Sequence, residues 1–376
     1  MQAILAWGSN NHYQLAICNQ DDQSIPHITA PFDRTHVCNI ASIGGGGAHT
    51  FIQFVDGSVY LCGWNKDGQT AGSTIFNDVI VPTPVLGISQ VKRIACGWTH
   101  TLVCTIEGVV FTWGSNTFGQ LGTDKIVAYT NKPILLDPSA FNEEAISSIA
   151  CGMRHSGCVS ITGRVYSWGS GNKGQLGREG NHAIPGVLGV EILKDTHIID
   201  LYMGNGHSLL LSENRKIFVC GDNSYGQCGL ECALDKPYIL KPVKLENVDA
   251  VVKIDCGWQH SLLLTEKGEV YSWGRCDYGQ LGREVISGKI KEGKGTTDIK
   301  RVGLSCKIVD IKCGAQHSIV LSENSQVYVW GWNEHGMCGN GKEENVHRPV
   351  LVNIKDKVVR IGCGNGTSFA VIECVL

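Results

Sequence analysis

Seven glycines, Gly8, Gly63, Gly114, Gly169, Gly221, Gly274 and Gly331, each follow a tryptophan or a cysteine and recur about every 50–60 residues. A chain spaced in this way is one unit copied seven times, and any fold assigned to it must repeat. A second column fixes the phase. His49, His100, His155, His207, His260 and His317 each stand three positions after a glycine and at one invariant distance before the next column glycine, as His100 stands before Gly114 and His260 before Gly274. Five positions beyond the column glycines stand Gly68, Gly119, Gly174, Gly226, Gly279 and Gly336, with Tyr13 in the first copy, and the text runs on as in Gly119-Gln120-Leu121-Gly122. All length variation falls between a column glycine and the next histidine, so one half of the unit is rigid and the other tolerates insertion.

Between histidine and glycine the unit reads as a hairpin. His260-Ser-Leu-Leu-Leu-Thr265 and Glu269-Val-Tyr-Ser-Trp-Gly274 are apolar runs rich in β-formers on either side of Lys267-Gly268, and a turn dipeptide between such runs is a hairpin signal. A short apolar run precedes each histidine, as in Val91 to Cys96, and a proline-bearing one follows the Gly-Gln stretch, as in Val79 to Val85. Proline is tolerated at a sheet edge, so the last run is the outermost strand. The unit is therefore a blade of four antiparallel strands, and no segment carries a sustained apolar pattern of helical period.

All-strand repeats of this size predict an all-β, seven-bladed β-propeller. The copies run near 1–58, 59–109, 110–164, 165–216, 217–269, 270–326 and 327–376 of a single domain spanning 1–376. The last unit stops after one hairpin strand while an orphan strand, Gln2 to Gly8, opens the chain. The expectation is that the N- and C-terminal strands share a blade and close the ring, leaving no free edge. Residues 283–305 account for the longest spacing between column glycines and hold Lys289, Lys291, Lys294, Lys300 and Arg301. They are expected to form a surface loop inserted into the repeat.

Composition excludes several function classes. With 32 basic and 35 acidic residues nothing favours a nucleic-acid partner, and no apolar run approaches the roughly 20 residues of a membrane span. The strand that begins at Gln2 leaves no expectation of a secretory leader. Of 17 cysteines, Cys96, Cys151, Cys256, Cys313 and Cys363 share one repeat position before the turn glycine. They are expected to be buried packing in a reduced cytoplasmic, or also nuclear, protein that acts as a monomer. Gly169-Ser-Gly171-Asn-Lys-Gly174 matches the dinucleotide fingerprint, but another copy of the repeat follows where a helix is needed. Gly288 to Lys294 resembles a phosphate loop but has Gly295 in place of the Mg²⁺-binding Ser or Thr. One histidine per blade is too widely spaced for shared metal coordination. The six are read as structural, hydrogen-bonding the adjacent turn. No enzyme site, cofactor or metal is expected.

The Gly-x-x-His turns and the Trp-Gly turns lie on one face, because antiparallel strands alternate their connections. That face carries the variable residues: Trp98, Thr99, Arg154, Asn205, Trp258, Gln259 and Gln316 from the first set, and Arg275, Asp277, Tyr278, Glu334 and His335 from the second. Aromatics and arginine among polar groups are what protein-binding hot spots use. These twelve are the candidate partner-binding residues. Trp98 and Trp258 belong to turns three blades apart and are expected not to cluster.

Cys96-Gly-Trp-Thr-His100-Thr and Val110-Phe-Thr-Trp-Gly-Ser-Asn-Thr-Phe-Gly-Gln-Leu-Gly122 resemble the repeat of the regulator of chromosome condensation family, over essentially the whole chain. The resemblance implies an RCC1-like seven-bladed propeller. Ile43 to His49, Val59 to Gln69, Trp273 to Arg283 and Trp330 to Gly339 are similar to members for which exchange on a Ras-type GTPase, a tie to the exocyst and a role in secretion are implied. A small GTPase and an exocyst subunit are therefore the implied partners. In the family's Ran exchange factor, acidic residues of the Gly-x-x-His turns and a wedge in one Trp-Gly turn serve exchange. Here the turns read Gly47-Ala48, Trp98-Thr99, Met153-Arg154, Asn205-Gly206, Trp258-Gln259, Ala315-Gln316 and Asn365-Gly366. None is acidic and no wedge is inserted, which puts the exchange activity in doubt. The alternative is a non-catalytic interaction scaffold.

Overall fold

The computed structural model describes residues 2–30, 39–72, 77–123, 127–179, 182–188, 192–230, 239–246, 248–285 and 293–374. They form seven four-stranded antiparallel sheets arranged as a propeller, and no α-helix occurs among the described residues. No helix is long and apolar enough to cross a membrane. In the first complete blade the order from the axis outwards is Ile40–Gly45, His49–Phe54, Val59–Gly63 and Val79–Pro84. The second strand is buried along its whole length, as in His49–Phe54, His100–Thr105 and His260–Thr265. That explains why these strands read as unbroken apolar runs.

The ring closes as the termini imply. Gln2–Gly8 pairs with Thr367–Glu373 from Gln2 opposite Glu373 to Gly8 opposite Thr367, and its other edge carries Gln23–Ile28. The last blade is thus half C-terminal and half N-terminal. The core lies between blades: Phe51, Val59 and Leu61 of one pack on Val91, Val103 and Trp113 of the next.

Residues 283–305 divide. Residues 286–292, with Lys289 and Lys291 and part of the phosphate-loop-like stretch, lie outside the described residues. Gly295–Arg301 is no loop; it is the outermost strand of its blade, paired with Val270–Arg275. The run Thr296-Thr297-Asp298-Ile299 supplies β-branched residues where other blades use proline-bearing segments, and its cations are engaged at the edge, Arg301 with Glu269 and Lys300 with Asp298. Gly169 to Gly174 is a blade turn leading to the short outer strand Gly186–Val187.

Backbone geometry requires the column glycines. Gly114 has φ +103°, a region that penalises any side chain, and the other six lie between +100° and +113°. The glycine before each histidine has a different reason: a methyl on Gly97 would overlap the imidazole of His100.

Candidate functional site

Two hydrogen-bond systems fix the face on which the turns gather. The first is main-chain. The N–H groups of Trp98, Met153, Asn205, Trp258, Ala315 and Asn365 donate to Met153, Gly204, Trp258, Ala315, Asn365 and Gly46 of the following blade at 2.8–3.3 Å, and Gly47 donates to Gly97 and Trp98 at 3.2 and 3.1 Å. Seven turns are tied head to tail into a closed ring around the axis.

The second system is the histidine column. The sequence led to the expectation that the imidazoles bond their own turns; instead each reaches the next blade. Nε2 of His49, His100, His155, His207, His260 and His317 meets the hydroxyl of Thr101, Ser156, Ser208, Ser261, Ser318 and Ser368 at 2.9–3.4 Å. Each hydroxyl donates its one hydrogen to a carbonyl of the Gly-Gln turn or its counterpart, for example Ser156 to Gln120 at 2.8 Å and Ser318 to Gln280 at 3.0 Å. The imidazole must therefore donate from Nε2, which leaves Nδ1 bare, buried and unpartnered. Burial drives the pKa to about 3 in His49, His100, His155 and His260 and to about 4 in His207 and His317, so all six are neutral at pH 7. The buried tryptophans converge on the same carbonyls: Trp113 Nε1 donates to Gln69, Trp168 to Gln120 and Trp330 to Gln280, all at 2.9 Å. The joint between the shared blade and the first blade is the exception. Thr367 stands where the histidine would be, and Thr50 bonds the Gln14 carbonyl at 2.7 Å with no imidazole behind it; the tryptophan position is Cys62 here, as it is Cys220 in another blade.

The axis is a polar channel. A cavity of about 510 Å3 runs between the inner strands. Cys96, Cys151, Cys256, Cys313 and Cys363 line it, half-buried, where packing in the core was expected. Burial raises the Cys96 thiol to about 12 and pushes the other four up as well, which disfavours the thiolate at neutral pH. Below them Lys253 pairs with Asp310, Arg93 with Asp200 at 3.4 Å, and Asp255 accepts from the N–H groups of Cys313 and Cys256 at 2.9 and 3.0 Å. Burial lowers Lys312, but Asp255 and Asp310 outweigh it and hold its pKa above the ordinary lysine value. With Lys92 also in the lining, cations and carboxylates thus mix across the axis.

At the mouth of this channel the expectation for the tryptophans fails. Trp98 and Trp258 come from blades three apart, yet their ring centroids lie 5.6 Å apart at 51°, because both project inward from the turn ring over a narrow axis. Around this half-buried pair the candidates sort into tied and free. Arg275 is tied: its guanidinium holds Asp277 through two bonds of 2.7 and 3.0 Å, donates to Gln259 at 2.8 Å, and lies 4.9 and 4.5 Å from the ring centres of Tyr225 and Tyr278. Gln316 donates to Gln259 at 3.1 Å and accepts from Gln280 at 2.8 Å. Thr99 is buried. Arg154 is exposed, 4.4 Å above the ring of Phe118. It lines, with Asn205, Lys173, Asp222, Trp258 and Gln259, a recess of about 150 Å3. His335 lies farther out, with Nδ1 2.7 Å from Asp22 of the next blade and its ring edge-on to Trp332, beside exposed Glu334. The structure thus brings together Trp98, Arg154, Asn205, Trp258, Gln259 and Gln316, joins Arg275, Asp277 and Tyr278 to them through Gln259, and leaves Glu334 and His335 apart. Phe118 and Lys173 complete the central group. No group of histidine, cysteine or carboxylate side chains that could hold a metal occurs among the described residues.

Comparison with known proteins agrees with this construction. The profile of the RCC1-like domain matches residues 3–370. The secretion-regulating guanine nucleotide exchange factor of Bos taurus is 31% identical over 99% of this chain and 83% of its own. The human E3 ubiquitin-protein ligase HERC2 is 30% identical over 98% of this chain but only 8% of its own length. Among solved structures, Prp20p of Saccharomyces cerevisiae, described with its binding properties to Gsp1p and histones, superposes with a TM-score of 0.87 over 100% of this chain and 92% of that one, at 22% identity. Human WBSCR16 gives 0.85 over 100% of both chains, also at 22%. With a family profile covering residues 3–370 and a relative that is 31% identical over 99% of the present sequence, this chain belongs to the RCC1-like family.

Proposed function

We propose that the turn-lined face is a docking surface for a small GTPase of the Ras type, in a protein that regulates secretion from the cytoplasm and has no hydrolytic or redox site. The observation that carries this reading is the Trp98–Trp258 pair, set over the channel mouth with ring centroids 5.6 Å apart. Beside it stands Arg154, whose guanidinium lies over Phe118 and makes no ion pair among the described residues. Aromatic and arginine side chains held by a rigid ring are the composition of an interface centre. The homology to a secretion-regulating exchange factor supplies the partner class, and an exocyst subunit is a further partner in the same reading.

Exchange on Ran is not part of the proposal. An exchange factor must stabilise the nucleotide-free GTPase over the loaded form, and the Gly-x-x-His turns carry no carboxylate with which to displace Mg²⁺ and phosphate. A scaffold that binds without altering nucleotide release is the second reading, favoured by that same absence. The test is capture of small GTPases by the purified protein with and without added GTP, paired with fluorescent-nucleotide release. Binding that GTP dissolves supports the exchange-factor reading, and binding indifferent to nucleotide supports the scaffold. Trp98→Ala, Arg154→Ala and Trp258→Ala should each weaken capture at least tenfold. Retained capture by all three removes the surface from consideration, and strong stimulation of release from Ran overturns the restriction on activity.

A further inference from the structure

The glutamine of a Gly-Gln turn lies against the Gly-x-x-His turn of the next blade, and the residue just before that blade's histidine decides what its amide meets. Gln280 shows the closed case. Its Nε2 donates to Oε1 of Gln316, the residue before His317, at 2.8 Å. Gln175 shows the open one. The counterpart of Gln316 is here Gly206, before His207, so no side chain reaches over Gln175 and a recess of about 150 Å3 is left at the joint. Gln175 is itself only 2% exposed, and its amide is oriented because Oε1 accepts from the Lys173 N–H at 2.9 Å. Its Nε2 group therefore faces the recess, where it meets no acceptor among the described residues. A buried donor in that state is one that an incoming acceptor completes.

Charged donors converge on the same recess. Arg154, from the preceding Gly-x-x-His turn, and Lys173 both line it. Arg154 lies over the Phe118 ring, and among the described residues neither cation is held by an ion pair. Asn205 adds a side-chain amide to the wall. Asp222 is the one carboxylate in the lining; its Oδ1 accepts from the Ser224 N–H at 2.9 Å, and it pairs with neither cation. Two cations against one carboxylate leave one positive charge unmatched. The nearby Arg275 and Asp277 do not alter that count, because they hold each other through bonds of 2.7 and 3.0 Å.

We propose that this recess is a carboxylate pocket, which receives the side chain of an aspartate or glutamate of the protein docked on the turn face, held by Arg154, Lys173 and Gln175. The partner rests on the docking reading above; the chemistry of the pocket does not. A guanidinium and a primary amide each present paired N–H groups in a plane, which the two oxygens of a carboxylate match. The single unmatched positive charge suits a single negative one, whereas the second charge of a phosphate group would be held beside Asp222. Trp258 is shared between the recess and the pair it forms with Trp98. The acidic residue of the partner therefore stands next to the apolar surface that covers the tryptophans.

Sodium acetate is the probe, titrated against NaCl at constant ionic strength into the isotope-labelled protein and read by NMR at the backbone amides of Lys173, Asn205 and Gly206. Saturable shifts with a dissociation constant on the order of 1–10 mM are expected, about fivefold or more tighter than with chloride. Gly206→Gln should abolish them, because the new side chain would lie over Gln175 as Gln316 lies over Gln280. Gly206 is outside the left-handed region, and a Cβ there would meet Lys173 and Asp222 at an ordinary 3.5 Å, so the variant keeps the fold. Lys173→Ala, at an exposed residue, should weaken acetate about fivefold by a second route. In capture of small GTPases, Gly206→Gln should cost about tenfold with Trp98, Arg154 and Trp258 all in place. Acetate bound no better than chloride, acetate binding untouched by both variants, or inorganic phosphate bound more than about tenfold tighter than acetate overturns the pocket. Capture that survives Gly206→Gln while acetate binding is lost overturns its use by the partner. No capture by the wild-type protein, with acetate still bound, overturns the docking reading and upholds the carboxylate chemistry.

Discussion

Acid should unfold this propeller through its histidines. Six imidazoles are buried neutral, with folded pKa values of about 3 or 4 against 6.5 when unfolded. The folded value is the lower one, so the unfolded chain takes up protons first. Stability is complete from about pH 7.5 upward and drains as the pH falls towards 4. Each histidine removes about 0.8 kcal/mol at pH 6, about 1.4 at pH 5.5 and about 2 at pH 5. The six together remove about 5, about 8 and about 12 kcal/mol, against the roughly 5–15 kcal/mol that holds an ordinary domain. Asp255, whose carboxyl burial raises, runs the opposite way and offsets a part of this. Unfolding is therefore expected between pH 6 and pH 5, which is mild for a protein. Urea titrations followed by tryptophan fluorescence, at intervals from pH 7.5 to 5, measure the slope directly. Replacing His100 and His155 with glutamine should lower stability at pH 7.5 while reducing the pH slope by about a third, because two of six titrating groups are gone. A urea midpoint that stays level between pH 7.5 and 5 would refute the reasoning, and so would a slope untouched by the double substitution.

Three further outcomes follow from the same geometry. His260→Ala and Ser318→Ala should each cost about 1–3 kcal/mol in chemical denaturation, with a coupling energy of about 1 kcal/mol because they share one bond; strictly additive losses would show that the bond contributes nothing. Removal of residues 2–8 takes out a strand paired on both edges and should abolish cooperative unfolding, so an unchanged melting curve would contradict the closure. Thr367→His should supply the missing donor to Thr50 and stabilise the propeller by about 1 kcal/mol, with slowed amide exchange at Gly44 to Gly47; exchange there no faster than in other turns of the wild type would show that this joint is not weak.

What the sequence conveyed and what it withheld divide along one line, that between backbone and side chain. Blade number, strand order and ring closure were readable because they follow from columns: a glycine with φ near +100°, a turn glycine that makes room for an imidazole, a proline at an edge. The partner of the histidine was readable too, in principle. Every blade has Ser or Thr after the column histidine or its counterpart, as in Thr50, Thr101, Ser156 and Ser368, and that column names the hydroxyl that the next blade supplies. The meeting of Trp98 with Trp258 was not readable. Counting blades gives a separation along the circumference, whereas side chains that project inward from the turn ring are separated by the width of the axis. The strand at Gly295–Arg301 was obscured for a different reason: its lysines and glycines suggested a loop, and its β-branched residues were outnumbered.

The turn ring explains why the fold is legible and the function is not. Its hydrogen bonds run from main-chain N–H to main-chain carbonyl, and the donor is the second residue of each Gly-x-x-His turn or its counterpart. Because the side chain takes no part, that position is free to be Gly47, Trp98, Met153, Asn205, Trp258, Ala315 or Asn365 without loss of a bond. The bond itself places no demand on the side chain, although packing does at Gly47, where a methyl would overlap the Trp98 carbonyl. The opposite face follows the same logic, where the position held by Val55 and by Glu213 makes one main-chain bond in either case. Where the joints between turns are made of backbone, the side chains at those positions are left unconstrained by the bond, on one face as on the other. On the turn face those are the places where substitution should change partners while leaving the melting temperature where it was.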